Sequence, residues 1–221
     1  MKKEDIPKYL DADNSTFSFC ASEKIETPFD IKAQGFLQFA EKDLQSNYSH
    51  NIINALSNAK RALDCQIDTL LIGFGYYKNS KSKNWSFIQK INLIKDLGIL
   101  APRVLKKINN TRNLMEHEYV KPEKEKVEDF LDITSLFLAS TDKYIFSFPS
   151  SAGYQQKDKG AVFKLDYKQC VIKVKIHKKL PFSLDYDKIE KENVLQKFTI
   201  DNKDDQYLNI LKAYLKRTRQ Y

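Results

Sequence analysis

The chain has 221 residues with 37 Lys and Arg against 29 Asp and Glu, a net charge of +8, and an apolar fraction of 42%. That is enough to bury one large core or two small ones, and the composition is that of a globular protein rather than a disordered, fibrous or membrane one. The N-terminus enters charged residues without an apolar signal core, and no apolar run approaches the roughly 20 residues that span a bilayer, so a cytoplasmic location without membrane contact is expected.

Cys20, Cys65 and Cys170 are odd in number and widely spaced, so neither a disulfide framework nor a zinc site is predicted. Charge is unevenly placed, with residues 1–50 at −3, 51–120 at +6, 121–150 at −2 and 151–221 at +7. The two basic regions suit a polyanionic partner such as RNA, because phosphate neutralisation with counterion release supplies most nonspecific affinity.

Residues 1–28 are weakly patterned and read as an N-terminal extension with a short strand at Thr16–Cys20. Apolar spacing then predicts a helix over 29–46 and a long second one through Ile52, Leu56, Ala59, Leu63, Ile67 and Leu70, ending near Gly73. Lys78 to Lys83 read as a polar linker. A third helix runs from Trp85 to Gly98, a fourth from Pro102 to about Tyr119, and a fifth from Pro122 to about Lys143. Short connections between five such helices predict an up-and-down bundle over 29–143.

Beyond residue 143 the period becomes alternating. Strands are expected at Tyr144–Phe148, Ala161–Tyr167, Cys170–His177 and Val194–Ile200, followed by an amphipathic helix from about Asp204. Residues 144–221 thus form a small, β-rich second domain, and the fold class expected is α+β. Asp201-Asn202-Lys203-Asp204-Asp205 opens like a calcium loop but has Gln206 where glycine is required, so a turn and helix cap are expected there. Gly73-Phe74-Gly75 marks a helix end rather than a dinucleotide loop, and no metal or cofactor is predicted.

The chemistry-bearing stretch is Arg112-Asn113-Leu114-Met115-Glu116-His117-Glu118-Tyr119. On an ideal helix centred on Ile108, His117 and Asn113 face away from the buried stripe, while Arg112 lies on its flank one turn before Glu116. A guanidinium grips phosphate through paired hydrogen bonds, and an imidazole exchanges protons near neutral pH. Arg112 and His117 lie about 140° apart around the helix, so one protomer's pair does not point neatly at one phosphate, and two copies facing each other could combine them.

This stretch resembles the R-x4-6-H signature of the HEPN superfamily, helical-bundle proteins in which the residue after the arginine is often Asn, Asp or His. The resemblance covers roughly residues 29–143. It implies a metal-independent endoribonuclease acting as a homodimer in phage defence or toxin–antitoxin biology. His117 would be general acid or base, Arg112 would steady the scissile phosphate, and Asn113 would orient either; Glu116 would hold Arg112. The longer R-x4-H-x-Y pattern through Tyr119 is similar to toxins whose nucleotidyltransferase antitoxin adenylylates that tyrosine. The other function expected of the resemblance is a non-catalytic dimerisation or nucleic-acid-binding module. Lys106 and Lys107 beside the motif, and Lys173, Lys175, Lys178 and Lys179 around His177, are the expected nucleic-acid contacts, with Phe182 and Tyr186 as neighbouring aromatics.

Overall fold

The computed structural model describes residues 2–11, 16–99, 122–156, 159–179 and 185–218, with Phe19 as backbone only. The protein is α+β: helices, an antiparallel sheet and a C-terminal helix. It divides into two compact units, one of residues Glu26–Leu71 and Asn79–Ile145, the other of Met1–Ile25, Ile72–Lys78 and Phe146–Tyr221.

The first unit is built from helices. α1 (Ile6–Asp11) belongs to the other unit; α2 (Ala33–Gln45) and most of α3 (Asn51–Gly73) come next, then α4 (Tyr77–Ser82), α5 (Phe87–Asp96) and α6 (Lys124–Thr141). Their stripes recur at helical spacing, with Leu37 and Ala40 on α2, Leu63 and Ile67 on α3, and Phe130 and Phe137 on α6 all buried. α2 packs against α6. The ends of α5 follow from local sequence. Ser86 and Gln89 form a reciprocal capping box, while Gly98 takes φ +68°, with Gly98 N donating to Lys95 O and Ile99 N to Ile94 O. The linker expected at Lys78 to Lys83 is largely the helix α4, a correction to the reading of its polar, lysine-rich composition.

Two polar clusters tie this unit together. The buried Gln66 amide donates to Leu138 O, Thr141 Oγ1 (2.9 Å) and Asp142 Oδ1 (3.0 Å), joining α3 to the end of α6. Asp68 on α3 is buried between Lys90 of α5 (2.6 Å) and Lys81 of α4 (3.2 Å). Asp68→Asn removes the shared anion and leaves the half-buried Lys90 ammonium uncompensated. A loss of about 1–3 kcal/mol is expected in urea unfolding; an unchanged midpoint would show that the cluster adds no stability.

The second unit carries a sheet of five strands among the described residues: β1 (Thr16–Glu23), β2 (Phe148–Gln155), β3 (Lys159–Asp166), β4 (Val171–Lys178) and β5 (Val194–Asp201), antiparallel throughout and in chain order. The residues expected to form an N-terminal extension thus supply an edge strand, Phe17 pairing with Tyr154 and Ser22 with Pro149. A strand expected at Tyr144–Phe148 is corrected too: Lys143–Phe146 form the short helix α7, and β2 only begins at Phe148. β2 is poor in β-branched residues, and its extended form comes from the ladders on both sides.

One sheet face buries Tyr154, Phe163, Val174 and Ile200 beneath α8 (Tyr207–Thr218). The Tyr154 and Phe163 rings meet edge-on at 5.3 Å, and Tyr214 of α8 lies 5.8 Å from Phe163. α1 packs on α8, where Arg217 Nε donates to Leu10 O at 2.8 Å. Before α8, Asp201 Oδ1 accepts from Lys203 N and Asp204 Oδ1 from Gln206 N, so the acidic segment forms Asx turns as expected.

The opposite sheet face holds a correction. Alternation with the polar Lys173 and Lys175 predicts His177 on the wet side of β4, yet it is fully buried. The reason is its partner across the ladder: His177 pairs with Gly160, and a Cβ added there would lie 2.2 Å from the imidazole Cε1 and 2.5 Å from Nε2. Glycine therefore leaves a bed for the ring, which donates from Nδ1 to Lys178 O at 2.7 Å. On the other side the register shifts, Ile176 facing Gln196 and His177 facing Val194. Gly160→Ala is expected to cost about 1–3 kcal/mol through overpacking against this rigid ring. His177→Ala in the same chain should recover part of the loss, and additive effects in a double-mutant cycle would contradict the contact.

Candidate nucleic-acid interface

Alternation along β4 sends Lys173, Lys175 and His177 to one face and Lys178 to the other. The four lysines expected to act together are thus divided: Lys173 and Lys175 share a face, Lys178 turns away, and Lys179 lies beyond the strand end. The antiparallel register adds two residues that the sequence reading missed. Lys164 of β3 stands opposite Lys173, and Lys197 of β5 stands opposite Lys175. Their alternation was visible in each strand, but only the register brings them together.

The segment leading into β5 lies against this face. Its buried Ile189 anchors it, and its Tyr186 carbonyl accepts from Lys175 Nζ at 2.5 Å. The same ammonium stands 4.3 Å from the centre of the Tyr186 ring. Carboxylates neutralise some of the neighbours. Asp187 binds Lys164 at 2.5 Å, Asp166 lies 3.5 Å from Lys173, and Asp185 lies 3.5 Å from Lys188. The hydrogen bond raises the Lys164 pKa and holds Asp187 below the usual carboxylate range.

Lys175 has no such partner. Partial burial, then the positive charge of Lys197, lowers its pKa, with Lys164 acting in the same direction. Two ammonium groups directly across a ladder repel. The arrangement can therefore accept an anion between Lys175 and Lys197, while the partly exposed Tyr186 ring offers a flat apolar surface beside it.

Arg112, Asn113, Glu116, His117 and Tyr119, with Lys106 and Lys107, lie outside the described residues. The stretch that carries them falls between α5 and α6, helices of the first unit. Among the described residues, no cluster of three or more His, Cys, Asp or Glu side chains could hold a metal ion, and no helix is long and apolar enough to cross a membrane. Comparison with protein-family models, curated proteins and solved structures finds no match.

Proposed function

We propose that this protein is a metal-independent endoribonuclease of HEPN type, with a composite site formed by two copies of its helical unit as an up-and-down bundle. The observation that carries this reading is the Arg112-Asn113-x3-His117 pattern in a basic stretch flanked by two helices of one unit. In the proposed reaction the ribose 2′-oxygen attacks phosphorus as its proton passes to a base. The bond to the 5′-oxygen breaks and that oxygen takes up a proton, leaving a 2′,3′-cyclic phosphate and a 5′-hydroxyl. His117 carries one of these proton transfers, Arg112 stabilises the charge on the phosphate oxygens, and Asn113 positions the phosphate or the imidazole. Glu116 holds the guanidinium between turnovers.

RNA and a second copy of the chain are the partners of this reading, and Tyr119 is the position at which a nucleotidyltransferase antitoxin would act. Defence against phage or a toxin–antitoxin pair in the cytoplasm is the corresponding biology. The paired lysines on the sheet favour a second reading, a nucleic-acid-binding module without cleavage. Incubation with RNA in the presence of a chelator separates them: cyclic-phosphate fragments support the nuclease, whereas retained binding without cleavage supports the module.

A further inference from the structure

We propose that the sheet face bearing Lys175, Lys197 and Tyr186 binds a single-stranded polynucleotide, one phosphodiester lying between the two ammonium groups and a base against the tyrosine ring. This inference does not depend on the ribonuclease reading, which concerns residues of the other unit.

Three observations lead to it. First, the acidic groups nearest this face are already engaged: Asp187 by Lys164, Asp166 by Lys173, Asp185 by Lys188, and Asp201 Oδ1 by the Lys203 amide. Lys175 and Lys197 have no carboxylate partner among the described residues and stand opposite each other in register. A bridging anion relieves that repulsion.

Second, Lys175 is held in place. Its ammonium is fixed by the Tyr186 carbonyl and ring, so less side-chain freedom remains to be lost when it meets a phosphate. Partial burial, then Lys197, lowers its pKa against the opposing pull of Asp187 and Asp185.

Third, the site couples a cationic pair with an aromatic surface. Phosphate alone has no use for the ring, and a duplex keeps its bases stacked within. A single strand offers both a backbone charge and a free base. The shared chemistry of RNA and single-stranded DNA fits, and the test distinguishes them.

Fluorescence anisotropy with labelled twelve-nucleotide oligouridylate, its deoxy counterpart and a duplex of equal length reads this directly, on the full chain carrying His117→Ala so that the probe stays intact. Wild-type surface binding is expected to favour single strands. Lys175→Gln with Lys197→Gln should weaken it at least tenfold and flatten the slope of log K against log salt by about 0.7, the loss of one phosphate contact. Tyr186→Ala should weaken it about 5- to 100-fold, whereas Tyr186→Phe, which keeps the ring, should bind normally. Lys124→Gln with Lys126→Gln, at positions already paired with Glu128 and Glu123, is the charge-matched control. Circular dichroism confirms that each variant is folded. Equal affinity for the duplex, or an unchanged constant and salt slope in the folded Lys175/Lys197 variant, would overturn the proposal. Loss of cleavage in the parent chain with this binding retained would overturn only the nuclease.

Discussion

Raising the pH above about 10 is expected to unfold the sheet-bearing unit cooperatively, with tyrosine ionisation and loss of secondary structure occurring together. Tyr154, Tyr207 and Tyr214 are buried, and burial raises the pKa of each above the ordinary phenol value. Tyr207 donates to Phe74 O at 3.2 Å and Tyr214 to Pro149 O at 3.1 Å, bonds that require the protonated hydroxyl. Tyr9 and Tyr76 are pushed up to about 12 by the same cause.

The sign follows from these directions. Below the unfolded value near 10 the phenols are neutral in both states and the stability is intact; above it the unfolded chain releases protons that the folded chain retains. Three buried tyrosines then remove about 4 kcal/mol of stability per pH unit until the folded values are reached. A spectroscopic alkaline titration followed by tyrosinate absorbance and circular dichroism tests this. Tyr154→Phe should reduce the slope by about a third, because the Tyr154 hydroxyl is buried without a hydrogen-bond partner among the described residues and its replacement removes one ionisation. Gradual ionisation near pH 10 with secondary structure retained would contradict the account.

The second large effect concerns the proposed nuclease. His117→Ala is expected to slow RNA cleavage by about 10²–10⁴-fold, the usual contribution of a positioned acid or base. Arg112→Ala is expected to cost about 10²–10³-fold through lost stabilisation of phosphate charge. Neither loss should be restored by divalent cations. Both side chains are assigned to chemistry rather than to the core, so thermal unfolding of the variants should follow the wild type. Loss of activity accompanied by loss of the folded state would instead assign them to structure.

Helices and the clearest strand were legible because their periods are written locally. Ile52, Leu56, Leu63 and Ile67 return at helical spacing on α3, and Ile172, Val174 and Ile176 alternate on β4. What escaped depends on residues far apart in the chain. The strand expected at Thr16–Cys20 is present as part of β1, but its place at the edge of the sheet comes from pairing with β2, more than a hundred residues later, and β2 has little intrinsic preference of its own. His177 looked exposed because its neighbours Lys173 and Lys175 are polar; Gly160, which makes room for its ring, becomes its neighbour only through the β3–β4 register. The same register unites Lys175 with Lys197 and separates them from Lys178. The motif from Arg112 to Tyr119 is legible in residue type and spacing alone.

Cleavage of an end-labelled RNA in chelator by the wild type, by Arg112→Ala, by His117→Ala and by an equimolar, co-refolded mixture of the two variants is the most direct test of the composite site. If each site takes Arg112 from one protomer and His117 from its partner, the two variants are inactive alone, yet the mixture recovers about a quarter of the wild-type rate through mixed dimers. The product should end in a cyclic phosphate. A wild type that leaves the RNA intact, or variants that cut it as well as the wild type, would contradict the nuclease; an inactive mixture that native mass spectrometry shows to contain mixed dimers would contradict the shared site.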